Sequence, residues 1–202
     1  MSSFEALRAA VAADAENAAA TRAGYRPLFV ASERACVLLI GQAPGLKAQE
    51  TGIPFNDASG RILCGWLGVD DSEFRDPDLF AILPMDFYYP GKGPSGDLPP
   101  RRGFAARWHP PILELLPNIR LTVLIGAYAQ RHYLGPRARR SVTETVRSFQ
   151  EYLPDTIPVV HPSPINFRWH SRNPWFMTDL VPVLQQRVRD VAGRADPGDV
   201  IN

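Results

Sequence analysis

Four short runs of nearly uninterrupted apolar residues, each ending in a residue that breaks or marks the end of regular structure, limit the possible folds most sharply. Ala35-Cys36-Val37-Leu38-Leu39-Ile40 runs into Gly41, Leu79-Phe80-Ala81-Ile82-Leu83 into Pro84, Leu121-Thr122-Val123-Leu124-Ile125 into Gly126, and Ile157-Pro158-Val159-Val160 into His161. A strand with one face in water alternates polar and apolar positions, so these runs predict strands covered on both faces. Helix-like stretches lie between them at about 58–68, 103–116, 127–134 and 141–152; 174–192 closes the chain and an Ala-rich amphipathic helix, 3–23, opens it. Buried strands alternating with helices predict an α/β fold, a three-layer sandwich with a four-stranded, mostly parallel sheet between helices. The length of 202 residues suits a single domain, 1–202, with one core and one site.

In such sheets ligands bind beyond the carboxyl ends of the strands. Gly41–Gly45, Pro84–Pro90, Gly126 and His161–Asn166 are therefore expected to converge on one edge. The Gly/Pro-rich stretch 90–101 reads as an ordered surface loop and 193–202 as a frayed tail.

Charge and cysteine usage narrow the functional classes. The net charge is only +1, yet residues 101–147 carry nine basic groups against two acidic ones, and the basic complement is 20 Arg beside Lys47 and Lys92. That stretch suits an acidic polymer as partner, and it equally suits a solvated surface in a chain with biased codon usage. Cys36 and Cys64 cannot supply a four-thiolate centre, and His109, His132, His161 and His170 lack metal-ligand spacing, so neither a metal nor a cofactor is expected. No apolar run approaches the ~18 residues that cross a bilayer. The first residues lack a signal-peptide layout, so a cytoplasmic protein with no membrane partner is expected.

Three segments combine unusual composition with the expected site edge. Gly41-Gln42-Ala43-Pro44-Gly45 is a tight loop exposing backbone amides after a strand. Gly52-Ile53-Pro54-Phe55-Asn56-Asp57-Ala58-Ser59-Gly60 places an aromatic and a carboxylate before a helix, where Phe55 suits either core or pocket and Asp57 suits a helix N-cap. His161-Pro162-Ser163-Pro164-Ile165-Asn166 is a Pro-braced loop carrying an imidazole, a hydroxyl, an apolar tip and an amide.

In this order and spacing the three segments resemble the uracil-DNA glycosylase superfamily, in which a GQDPY, GEAPG or GxNPG loop opens the site, a GxxF segment supplies a base-stacking aromatic and an HPSP loop closes it. Leu124-Ile125-Gly126-Ala127-Tyr128-Ala129-Gln130 is also similar to the WGSYAQ stretch of bacterial members, and the resemblance runs from Val37 to Phe176. It implies a monomeric, cofactor-free glycosylase that flips uracil out of DNA, hydrolyses its N-glycosidic bond and leaves an abasic site. By the same resemblance Phe55 stacks on the base, His161 donates to uracil O2 as a neutral imidazole, and Ser163 contacts a phosphate. Pro162 and Pro164 stiffen the loop, Ile165 is the wedge filling the vacated stack, and Asn166, Arg168 and Arg172 lie toward the DNA. Gln42 would contact the base or the water through its amide or N–H.

Two departures matter. The first-loop positions that hold the water-activating acid in other branches are Gln42 and Ala43, so the carboxylate role passes to Asp57, as in the branch with a GLAPA loop and a GDxSG segment. The Asn that usually reads uracil at the end of the second strand is missing from Leu83-Pro84-Met85-Asp86-Phe87-Tyr88-Tyr89. Asp86, or backbone groups of Met85 and Phe87, remain as base contacts. The missing Asn also admits hypoxanthine or xanthine as substrate. The missing first-loop acid admits a sensing protein with little turnover, or one that traps its product on a histidine such as His109.

Overall fold

A computed structural model describes residues 3–193 apart from Ser95. Among these residues the strands are β1 (Val37–Ile40), β2 (Phe80–Ile82), β3 (Lys92–Gly93), β4 (Gly96–Asp97), β5 (Leu121–Ile125) and β6 (Thr156–Val159). The helices are α1 (Ser3–Ala13), α2 (Ala18–Arg22), α3 (Leu46–Thr51), α4 (Ala58–Leu67), α5 (Asp71–Phe74), α6 (Phe104–Leu113), α7 (Gly126–Leu134), α8 (Val142–Arg147), α9 (Phe167–Arg172) and α10 (Val181–Ala192). The four apolar runs form one sheet in the order β2-β1-β5-β6, and every pairing is parallel. β3 and β4 pair separately as an antiparallel hairpin inside the stretch read as a loop.

The period-2 geometry of a strand sends neighbouring side chains to opposite faces, and here that divides the core in two. Val37, Leu39, Val123 and Ile125 pack with α4 and α10, through residues such as Leu63, Trp66 and Leu184. Leu38, Ile40, Ala81 and Leu124 pack against Phe4, Phe104 and Ile112 on the other face. Continuous apolar runs are thus explained by helices on both sides.

The N-terminal region departs from a single helix over 3–23. Asp14 accepts a hydrogen bond from the Glu16 N–H at 2.9 Å and starts a 3-10 turn, Ala15–Asn17, between α1 and α2. Buried Asn17 donates to Val11 O at 2.7 Å and fixes the bend, the usual way in which Asp and Asn side chains compete with a helix. The helix expected over 141–152 ends at Arg147 and gives way to a 3-10 turn, and 174–192 begins with a π turn, Phe176–Leu180. Asn173, just before that stretch, donates from Nδ2 to Trp169 O at 2.8 Å and closes α9. The expected fraying of the tail concerns residues that, beyond Gly193, lie outside those described.

His109 is buried at the junction of α6, α7 and the end of β2. Its Nε2 lies 3.0 Å from Pro84 O, which can only accept, so the proton sits on Nε2 and Nδ1 accepts from the Tyr133 hydroxyl at 2.5 Å. Burial pushes its pKa down to about 4. The unfolded chain therefore takes up this proton first, and stability falls as pH drops from about 6.5 toward 4, by about 3 kcal/mol from this group alone. An NMR titration should find the His109 ring neutral down to about pH 4, with unfolding free energy declining over the same window; a midpoint near 6.5 would contradict it.

Candidate active site

The segments beyond β1 and β6, with Pro84 after β2, residues 54–59 and the hairpin, enclose a pocket of about 360 Å³, within the size range of small-molecule sites. The first loop follows β1 directly. Gly41 and Gln42 accept hydrogen bonds from the N–H groups of Met85 (2.9 Å) and Asp86 (3.2 Å), which extends the parallel pairing past the end of the sheet. Gln42 lines the pocket, and its Nε2 donates to Leu98 O at 3.2 Å.

Phe55 forms a wall of the pocket, its ring against Phe74 with centroids 6.1 Å apart and edge-on. Its backbone lies in the left-handed region, φ 52°, which costs a bulky residue about 1–2 kcal/mol. Two features hold it there. Arg75 donates through its guanidinium to the carbonyls of Pro54 and Phe55. Gly60, in the first turn of α4, leaves room for the Phe55 carbonyl, which a Cβ at that position would overlap.

Asp57 is both a pocket residue and the N-cap of α4, accepting from the Gly60 N–H at 3.1 Å. The cap engages one oxygen of this carboxylate and so does not exclude a second task for it.

The His161 loop follows the end of β6. Its first residue is braced through the backbone: His161 O accepts from the Ser163 N–H and from Asn166 Nδ2, each at 2.8 Å. Asn166 thus has a defined task inside the loop. Gly126 has φ 81°, and a Cβ added there would come 3.9 Å from the His161 Cβ. Protein packed around the imidazole lowers its pKa below the ordinary histidine value, and the nearby carboxylates of Asp57 and Asp97 oppose that effect. The ring is therefore neutral at neutral pH. Ser163 and Ile165 complete this wall. Ile165 is 82% exposed and Phe167 63%, which excludes a buried anchor at the loop tip. Arg168 and Arg172 stand exposed on α9 just behind it.

Several expected residues lie elsewhere. Asp86 does not reach the pocket: it is 1% exposed, and its oxygens accept from the Tyr88 and Arg101 N–H groups, from Arg101 Nε at 2.7 Å and from Arg101 Nη2 at 2.8 Å. Met85 is core, its N–H already donated to Gly41, and the Phe87 carbonyl accepts from the Leu28 N–H. Of 84–90 only Pro84 lines the pocket. His109 is enclosed in the core with both nitrogens engaged, so it cannot trap a product. Much of the basic stretch is committed internally, Arg101 to Asp86, Arg107 to Asp14 and Arg139 to Glu151. In their place the pocket gains Ser59, from the second of the three motif segments, and Lys92 and Asp97, which no motif in the sequence marks. Among the described residues no three His, Cys, Asp or Glu side chains gather as metal ligands, and no helix is long and apolar enough to cross a membrane.

A stacking wall, a carboxylate and a neutral imidazole around one pocket, with an exposed apolar tip at its rim, suit the extraction and hydrolysis of a nucleobase. A family model described as the uracil DNA glycosylase superfamily matches residues 29–185, a span that takes in all four sheet strands and every pocket-lining residue except Leu28. The chain therefore belongs to the uracil DNA glycosylase superfamily, whose members act on DNA as glycosylases.

Proposed function

We propose that the chain is a monofunctional glycosylase that removes uracil from DNA by hydrolysis and leaves an abasic site, working in the cytoplasm as a single-domain monomer without metal or cofactor. The observation that carries this reading is the common pocket of Phe55, Asp57 and His161. The flipped base stacks on Phe55. The bond between the sugar C1′ and base N1 breaks with its electron pair passing to the base, where charge gathers at O2 and is met by the His161 N–H. A water held by Asp57 adds to C1′ and gives its proton to that carboxylate. Ile165 enters the stack in place of the base, and Ser163, Asn166 and Arg168 flank the backbone.

Asp57 in the pocket speaks against the sensing alternative, since it supplies the acid that the first loop lacks. Single-turnover assays on a labelled oligonucleotide with one uracil should yield free base and an alkali-sensitive site. His161→Ala should slow release by about 100-fold or more, as expected for a lost donor at developing charge. Retained DNA binding with no base released by the parent protein would make the chain a binding protein instead.

A further inference from the structure

The hairpin of β3 and β4 is too small to be stable alone, yet it is tied down over the pocket from several sides. Gln42 Nε2 donates to Leu98 O at 3.2 Å, and the Leu98 N–H donates to Gly91 O at 2.9 Å. The Tyr89 hydroxyl reaches Asp97 Oδ1 at 3.4 Å. Tyr89 is itself fixed, its N–H donating to Oε1 of buried Gln49 at 2.8 Å, while Gln49 Nε2 donates to Arg26 O at 3.0 Å. These bonds give an otherwise loose ribbon a fixed position, so it acts as a wall.

Lys92 and Asp97 are directly opposite one another in the hairpin, so their side chains leave the same face of the ribbon. Both line the pocket. Of the pocket's ionisable side chains, Asp57 and His161 serve the water and O2 in the reading above; Lys92 and Asp97 are left. Together they offer one donor and one acceptor side by side.

We propose that Lys92 and Asp97 read the Watson–Crick edge of the flipped base, Asp97 accepting from a ring N–H and Lys92 donating to the carbonyl oxygen beside it. The inference rests on the glycosylase reading. Uracil presents this pattern at N3–H and O4, and hypoxanthine and xanthine at N1–H and O6. Cytosine and adenine present its reverse, a bare ring nitrogen beside an amino group, which sets a lone pair against the carboxylate and N–H bonds against the ammonium. The pair thus separates a deaminated base from its amino parent. Guanine and thymine share the keto pattern, so other walls must exclude them by size and by the substituent they carry. Lys92 also offsets the repulsion between Asp97 and the departing base anion.

The test compares single-turnover release of uracil and of N3-methyluracil from matched oligonucleotides by the parent, Asp97→Ala, Asp97→Asn and Lys92→Met. Asp97→Ala should release uracil about 10- to 100-fold more slowly, the effect of a lost charge-assisted hydrogen bond. It should also lose most of the parent's preference for uracil over the N3-methylated base. Asp97→Asn, which keeps an acceptor, should fall between, and Lys92→Met should slow uracil without changing the methyl preference. Both residues are exposed on the hairpin, and unchanged thermal melts will confirm that the variants fold. If the parent releases uracil and Asp97→Ala matches it in both rate and preference, the base-reading role is overturned while the glycosylase reading stands. If the parent releases no base from any oligonucleotide, both fall together.

Discussion

Asp57→Asn is expected to slow uracil release by about 100- to 10,000-fold, the range for loss of a positioned general base, with little change in thermal stability. The separation is possible because the capping task of Asp57 and its proposed catalytic task have different requirements. As the cap of α4 it needs only an oxygen that accepts from the Gly60 N–H, and an asparagine Oδ1 does that as well as a carboxylate. As the group that orients water and takes its proton it needs the carboxylate. Asp57→Ala removes both, and should add a stability loss of about 1 kcal/mol, seen as a drop of about 2–4 °C in Tm for a chain of this size. Single-turnover rates and thermal melts on the two variants resolve the two tasks. An Asp57→Asn protein with full activity would leave Asp57 as a cap alone.

Gly60→Ala should be as damaging, for a reason unconnected with chemistry. Within a helix, replacing glycine by alanine ordinarily stabilises by about 1 kcal/mol. At Gly60 the added Cβ would overlap the Phe55 carbonyl oxygen and crowd its carbon and Cβ, so the strained turn that aims the Phe55 ring must shift. A net loss of about 2–4 kcal/mol is expected. Moving the stacking wall should cost at least about 100-fold in base release. Gly65 in the same helix is the control, because a Cβ there meets nothing within 4 Å; Gly65→Ala should be neutral or stabilising and fully active. Equal behaviour of the two variants would show that the close approach of α4 to Phe55 has no consequence.

The sheet was legible in the sequence because its signal is dense. Residues such as Val37–Ile40 and Leu121–Ile125 are apolar at almost every position, and only a strand with both faces covered needs that. The short helices α3, α5 and α9 and the hairpin escaped notice, since six residues or fewer barely complete a period. Phe55, Asp57, His161, Ser163 and Ile165 were legible as pocket residues because they sit in two contiguous segments, one between α3 and α4 and one after β6. Asp86 misled for a physical reason: its place after β2 suits a base contact, and only the position of Arg101, 15 residues further on, shows that the carboxylate is already neutralised. Lys92, Asp97 and Arg75 were invisible because their importance comes from partners distant in sequence.

The position of β6 in the sheet carries a last consequence. Among the described residues it is an edge strand, bonded along its length only to β5, with buried Gln130 bridging the two by donating to Leu124 O and Val159 O. His161, Ser163 and Ile165 hang from its end, whereas Phe55 and Asp57 belong to the segment between α3 and α4. Local opening of that one edge would displace His161, Ser163 and Ile165, the proposed oxyanion donor, phosphate contact and wedge, in a single event while the rest of the sheet stayed paired. In chain order Phe55 and Asp57 precede His161, so a nascent chain that ends before β6 lacks the proposed donor. On the proposed mechanism, hydrolytic competence therefore waits on the docking of the final strand.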